Sequence, residues 1–113
     1  MQHIEQRLAS IAADPTGFER WLAEKPADEE VGLACRSGAC PVSEYLLCEF
    51  DSEGILEATA EPADLWLDFA FGSFHQYARG WAGKFVEATD AFTEGVPRAV
   101  TAAEARLVLD SVR

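Results

Sequence analysis

Apolar residues recur at three- and four-residue steps along the first thirteen positions: Ile4, Leu8 and Ile11 share one line, with Ala12 beside it. That period predicts a helix with a narrow apolar stripe. Asp14-Pro15 stops it and opens a second helix, since Asp is a good N-cap and Pro suits a first helical position. Phe18, Trp21 and Leu22 form the next stripe, ended by Lys25-Pro26, so an antiparallel helix pair is expected. Val31 to Cys35 is a short apolar run that reads as a strand or extended segment. Arg36-Ser37-Gly38-Ala39 is a turn. Pro41 opens a third helix running to Phe50, closed by Asp51-Ser52-Glu53-Gly54.

Residues 55–71 fit two patterns. One is a β-hairpin, with strands at 55–60 and 65–71 around Glu61-Pro62-Ala63-Asp64. The other is a helix from about Pro62 to Phe71, with Leu65, Trp66 and Phe69 inward and Gly72 as its C′ residue. The helix is preferred, because Pro62 and Asp64 suit a first turn. Ser73-x-x-Gln76 has the form of a capping box. Phe74, Tyr77, Ala78, Trp81, Phe85, Ala88 and Phe92 then keep a helical period, so a long aromatic helix is expected from Ser73. Gly80 and Gly83 weaken its propensity and are expected to let a neighbouring helix come close. A loop at 93–99 leads to a second capping box, Thr101-x-x-Glu104, and a last helix carrying Ala105, Val108, Leu109 and Val112.

The expected fold class is therefore mainly α: a compact bundle of five or six helices with room for a small β element. The alternative is α+β with a short hairpin at 55–71. At 113 residues a single domain, 1–113, is expected. No segment has the ~18 uninterrupted apolar residues of a membrane helix. The first helix, with His3, Glu5 and Arg7, lacks the layout of a secretory signal, so a cytoplasmic location is expected. Three cysteines, Cys35, Cys40 and Cys48, suggest reduced thiols rather than a disulfide framework.

Charge sharpens the functional picture. Between Arg36 and Arg79 there is no lysine or arginine, while Glu44, Glu49, Asp51, Glu53, Glu57, Glu61, Asp64 and Asp68 all fall there. These eight carry most of a formal net charge of −11. Such a field opposes contact with nucleic acid and anionic membrane and favours a basic protein partner.

Cys40-Pro41-Val42-Ser43 follows an apolar run and starts a helix. A thiol there meets unpaired backbone N–H groups and the positive end of the helix dipole, both of which favour thiolate. Over about ten residues this segment resembles the Cys-Pro-x-Ser active site of monothiol glutaredoxins, with Val96-Pro97 comparable to that family's Val-Pro bend. The resemblance implies a redox role for Cys40, with Ser43 beside it. The chain departs from that family: two helices precede the motif, later strands for a central sheet are not evident, and no glycine-rich pair follows Pro97. The structural alternative makes Pro41 a helix starter, Cys40 a small semi-apolar residue at the capping position and Ser43 a solvent-facing first-turn residue.

Metal binding is weakly indicated. Cys35, Cys40 and Cys48 are separated by four and seven residues rather than the tight pair of a zinc knuckle, and His3 or His75 would have to complete the set. Two cysteines eight positions apart on one helix stand about 12 Å apart along its axis, so Cys48 is expected in the core. Glu49, Asp51 and Glu53 fail the spacing of a calcium loop. No phosphate loop, dinucleotide fingerprint or nucleophile elbow occurs. No cofactor is implied.

The expectation is a non-enzymatic acidic interaction module, an adaptor, inhibitor or regulator, that binds a basic partner through Glu57, Glu61, Asp64, Trp66 and Asp68. Mimicry of nucleic-acid charge is one form this could take. Trp66 is expected to stay partly exposed as an aromatic anchor in an acidic rim. The alternative is a thiol-dependent enzyme or sensor using Cys40.

Overall fold

A computed structural model describes residues 2–113; Met1, at the start of the first expected helix, lies outside the described residues. Among the described residues the fold is α+β, with five α-helices and two antiparallel sheets, which overturns the expected mainly-α bundle. Its helices are α1 (Gln2–Ala13), α2 (Thr16–Ala23), α3 (Pro41–Glu49), α4 (Trp81–Phe92) and α5 (Ala102–Val112). Its strands are β1 (Glu30–Leu33), β2 (Ile55–Ala60), β3 (Asp64–Phe69), β4 (Gly72–Tyr77) and β5 (Ala99–Thr101). β1 pairs with β5, and β2-β3-β4 form a meander.

The local signals at α1, α3 and α5 act as their chemistry dictates, whereas at α2 the N-cap is Pro15 rather than the expected Asp14, which lies one residue before it. Asp14 Oδ1 accepts the Thr16 N–H at 2.9 Å at the start of α2. Pro41 occupies the first turn of α3, with Cys40 as N-cap. Gly54 closes the short 3-10 turn Asp51–Glu53 at φ 82°, a conformation that favours glycine. Thr101 and Glu104 complete their capping box reciprocally. The expected pairing of the first two helices does not form; α1 lies against β4 and α4, and α2 against α3 and α5.

One expected helix and the first part of another are strands. Over 64–69, Asp-Leu-Trp-Leu-Asp-Phe, burial alternates: Leu65, Leu67 and Phe69 point inward and are buried, while Asp64, Trp66 and Asp68 lie on the other face. That period of two belongs to a half-buried strand, and it outweighs the Pro62/Gly72 punctuation that suggested a helix. The hairpin alternative thus describes β2 and β3, and the second strand ends at Phe69. The apparent helix from Ser73 begins only at Trp81. Residues 72–77 pair with β3 in six consecutive positions, from Phe69↔Gly72 to Asp64↔Tyr77. Ser73 therefore caps no helix; its hydroxyl donates to Asp68 Oδ1 at 2.6 Å.

The core centres on Phe18, fully buried, whose ring lies 5.0 to 5.8 Å from those of Trp21, Tyr45, Trp81 and Phe85. α5 is tied to α2 by Arg106, whose Nη2 donates to the Leu22 and Lys25 carbonyls at 2.6 and 2.5 Å. This places a cation on the orphan carbonyls of a helix C-terminus. Gly83 permits close approach of a turn rather than of a helix: a Cβ there would lie 2.1 Å from the carbonyl oxygens of both Pro62 and Ala78.

Candidate functional site

The register of the meander decides which of the acidic residues share a surface. Directly opposed residues on neighbouring strands lie on one face. Thr59↔Trp66↔His75, Glu57↔Asp68↔Ser73 and Asp64↔Tyr77 are such sets. The opposite face carries Ala58, Ala60, Leu65 and Leu67 into the core. The outer face therefore presents Trp66 at its centre, 40% exposed, between the carboxylates of Asp64 and Asp68, with Glu57 beyond.

Side chains from β4 organise this face. The His75 ring lies 4.4 Å from Trp66 and 4.8 Å from Tyr77, centre to centre. Its Nε2 is 2.6 Å from Asp64 Oδ1. Tyr77 is 55% exposed and carries the Arg79 guanidinium 4.8 Å over its ring. The result is an aromatic row, Trp66-His75-Tyr77, bordered by carboxylates. Four expected partner-binding residues, Glu57, Asp64, Trp66 and Asp68, are brought together. Glu61 is not: it sits in the β2–β3 turn and lines a separate pocket. The linear acidic run is also divided. Glu49 and Glu53 lie at the end of α3 and in the turn beyond it, and both pair with Arg7 of α1.

The sequence does not assign His75, Tyr77 and Ser73 to this surface, because 73–77 reads there as the start of a helix. The period of two in 64–69 is the signal that could have found them: it implies a strand, and a strand implies paired neighbours.

The second expected site lies elsewhere. Cys35, Arg36, Ser37, Cys40, Glu61 and Asp90 are among the residues lining a pocket of about 260 Å³ between the start of α3, the end of β2 and α4. Cys35 holds a left-handed backbone at φ 63°, and its N–H donates to Asp90 Oδ1 at 2.9 Å. Cys40 is buried at 4% exposure, with Sγ 3.4 Å from Ser43 Oγ. Burial pushes the Cys40 thiol above its ordinary pKa; hydrogen bonding from Ser43 and the backbone at the start of α3 pulls the other way and loses. The expected low-pKa thiolate is therefore not what this environment favours. Ser43 is fully buried, not solvent-facing, and donates to the Ser37 carbonyl. Cys48 is exposed on α3, against its expected place in the core. Among the described residues, no group of three or more His, Cys, Asp or Glu side chains is arranged to hold a metal.

The chain matches no protein-family model, no curated protein and no solved structure. Among the described residues, no helix is long and apolar enough to cross a membrane.

Proposed function

We propose that this chain is a non-enzymatic interaction module that recognises a basic protein partner through the outer face of β2-β3-β4. The observation that carries this reading is the gathering of Trp66 and Tyr77, both exposed, with Glu57, Asp64 and Asp68 on one face. An aromatic anchor supplies contact area, and flanking carboxylates supply orientation and on-rate toward lysine and arginine. The aromatic faces add cation–π attraction for the same side chains. The chain's formal net charge of −11 steers the same class of partner.

The test is binding of a basic peptide that alternates lysine with threonine, measured by titration at low and high salt. Wild-type affinity should fall as salt rises. The pair Glu57→Lys and Asp68→Lys should lose binding, while Glu24→Lys and Glu87→Lys, exposed but on α4 and near the end of α2, should retain most of it. Equal losses in the two pairs would reduce the effect to net charge and remove the face. Salt-independent binding would remove the electrostatic reading.

A further inference from the structure

We propose that the free edge of β4 takes up an extended segment of the basic partner as a fourth strand of the sheet. This rests on the reading above and specifies how that partner is held.

The meander has two edges, β2 and β4, and they are treated differently. The β2 edge is blunted. Its register shifts between Ile55 and Glu57, leaving Leu56 in a bulge, and it carries the charge of Glu57. The Ala60 N–H at its end already donates to the Ser37 carbonyl at 2.9 Å, and α3 packs against the strand. Bulges, charges and covering segments are the usual guards of an edge strand.

β4 carries neither a bulge nor a charge of its own, although α1 packs against it. Its six pairings with β3 run without a shift. Its sequence, Gly72-Ser73-Phe74-His75-Gln76-Tyr77, contains no Lys, Arg, Asp, Glu or Pro. Every residue in it is exposed or half-buried, and among the described residues no strand pairs with its far side. Alternate residues there hold N–H and C=O groups that an incoming strand can use.

Space beside the last two residues of β4 suits the end of an extended chain. Ala9, Ala12 and Ala13 of α1 face Gln76, Tyr77 and Arg79 across an open groove of about 550 Å³. Small side chains on the helix wall leave that groove unfilled.

Charge selects the occupant. Side chains of a fourth strand that rise on the outer face would stand beside Ser73, His75 and Tyr77. The Asp64 and Asp68 carboxylates lie one strand further, roughly 10 Å from the new backbone at the usual strand spacing. Lysine or arginine at alternate positions is long enough to reach toward them. A second copy of this chain would instead set two proteins of net charge −11 edge to edge, with both acidic faces on one continuous sheet. The segment is therefore from a basic partner, extended, with cations at every second residue.

The experiment uses the full chain and an eight-residue peptide alternating lysine with threonine. Two further peptides carry backbone N-methyl groups, on every lysine or on every threonine, with the charge unchanged. An added strand turns alternate N–H groups to β4 and the others to solvent. One methylation pattern should weaken binding at least tenfold and the other less than threefold. Amide exchange at alternate β4 residues should slow on binding of the parent peptide. If both methylated peptides bind as the parent does, while Glu57→Lys with Asp68→Lys abolishes binding, strand addition is overturned and the acidic-face reading survives. Equal weakening by both patterns also overturns strand addition. No binding by any peptide overturns both readings. A chain that dimerises in solution with the same β4 amides protected overturns the assignment to a partner segment.

Discussion

His75 on β4 reaches diagonally across the sheet to Asp64 on β3, its Nε2 2.6 Å from the carboxylate Oδ1. Neither residue is the direct partner of the other; His75 opposes Trp66, and Asp64 opposes Tyr77. The contact therefore fixes the imidazole against the indole, with ring centres 4.4 Å apart. It orders an exposed aromatic row in the free chain, which would lower the entropy cost of binding the proposed partner.

Trp66→Ala should separate binding from stability. The side chain is 40% exposed, so its loss should cost only about 1 kcal/mol of folding free energy, near the centre of the usual range for point substitutions. Trp81→Ala is the contrast: its ring stacks on Phe18 and its Nε1–H donates to the Ile11 carbonyl at 2.8 Å, so about 3–5 kcal/mol should be lost. Urea denaturation gives both values. A comparable loss for the two variants would make Trp66 a structural residue rather than an anchor.

Gly83→Ala should destabilise despite adding a better helix former to α4. The propensity gain is about 1 kcal/mol. The new Cβ, however, would meet backbone oxygens of Pro62 and Ala78 at 2.1 Å, and backbone cannot swing aside. The net should be a loss on the order of 1–3 kcal/mol, typical of overpacking. Gly38→Ala, with nothing within 4 Å of its Cβ, should be close to neutral. A stabilised Gly83→Ala protein would mean the β2–β3 turn yields easily.

Gly17→Ala tests a different kind of contact. Its Cβ would lie 2.3 Å from the hydroxyl of Tyr45, a ring held by Phe18 and Trp21. Tyr45→Phe removes that oxygen. The double variant should recover most of the loss seen in Gly17→Ala alone, and additive losses in the double-mutant cycle would locate the strain elsewhere.

Stability should fall at alkaline pH. Burial, with the Glu49 carboxylate adding to it, raises the Tyr45 phenol from 10.0 to about 12. Below pH 10 both folded and unfolded chains hold this proton, and its contribution is complete. Between pH 10 and 12 the unfolded chain ionises first, so stability is lost as pH rises, by up to about 1.4 kcal/mol per unit. Tyr45→Phe should flatten that part of the profile. The buried Cys40 thiol, raised from 9.0, adds loss of the same sign beginning lower, which Cys40→Ala should remove. A Tyr45→Phe profile parallel to wild type from pH 10 to 12 would contradict the assignment.

Alkylation of the native protein at neutral pH should modify Cys48 first, because it is exposed, and Cys40 last, because it is buried and its thiol is disfavoured as thiolate. Peptide mapping by mass spectrometry reads the order. Rapid labelling of Cys40 below its ordinary pKa would restore the activated-thiol reading.

Sequence alone determined the elements whose signals are local. Pro41 behind Cys40, the Thr101/Glu104 box and the Ile4-Leu8-Ile11 stripe each specify a helix within a few residues, through caps and a period that need no distant partner. It also determined the concentration of carboxylates between Arg36 and Arg79 and the want of cations there. Tertiary structure decided the rest. The segments 64–69 and 72–77 carry aromatic residues at spacings that also fit a helix, and their mutual pairing, which buries Leu65 and Leu67, settles them as strands. Pairing then sorts the acids: Glu57, Asp64 and Asp68 onto one face with Trp66, Glu61 into a turn, Glu49 and Glu53 onto Arg7. A face is a property of register, and register is set by residues far apart in the chain.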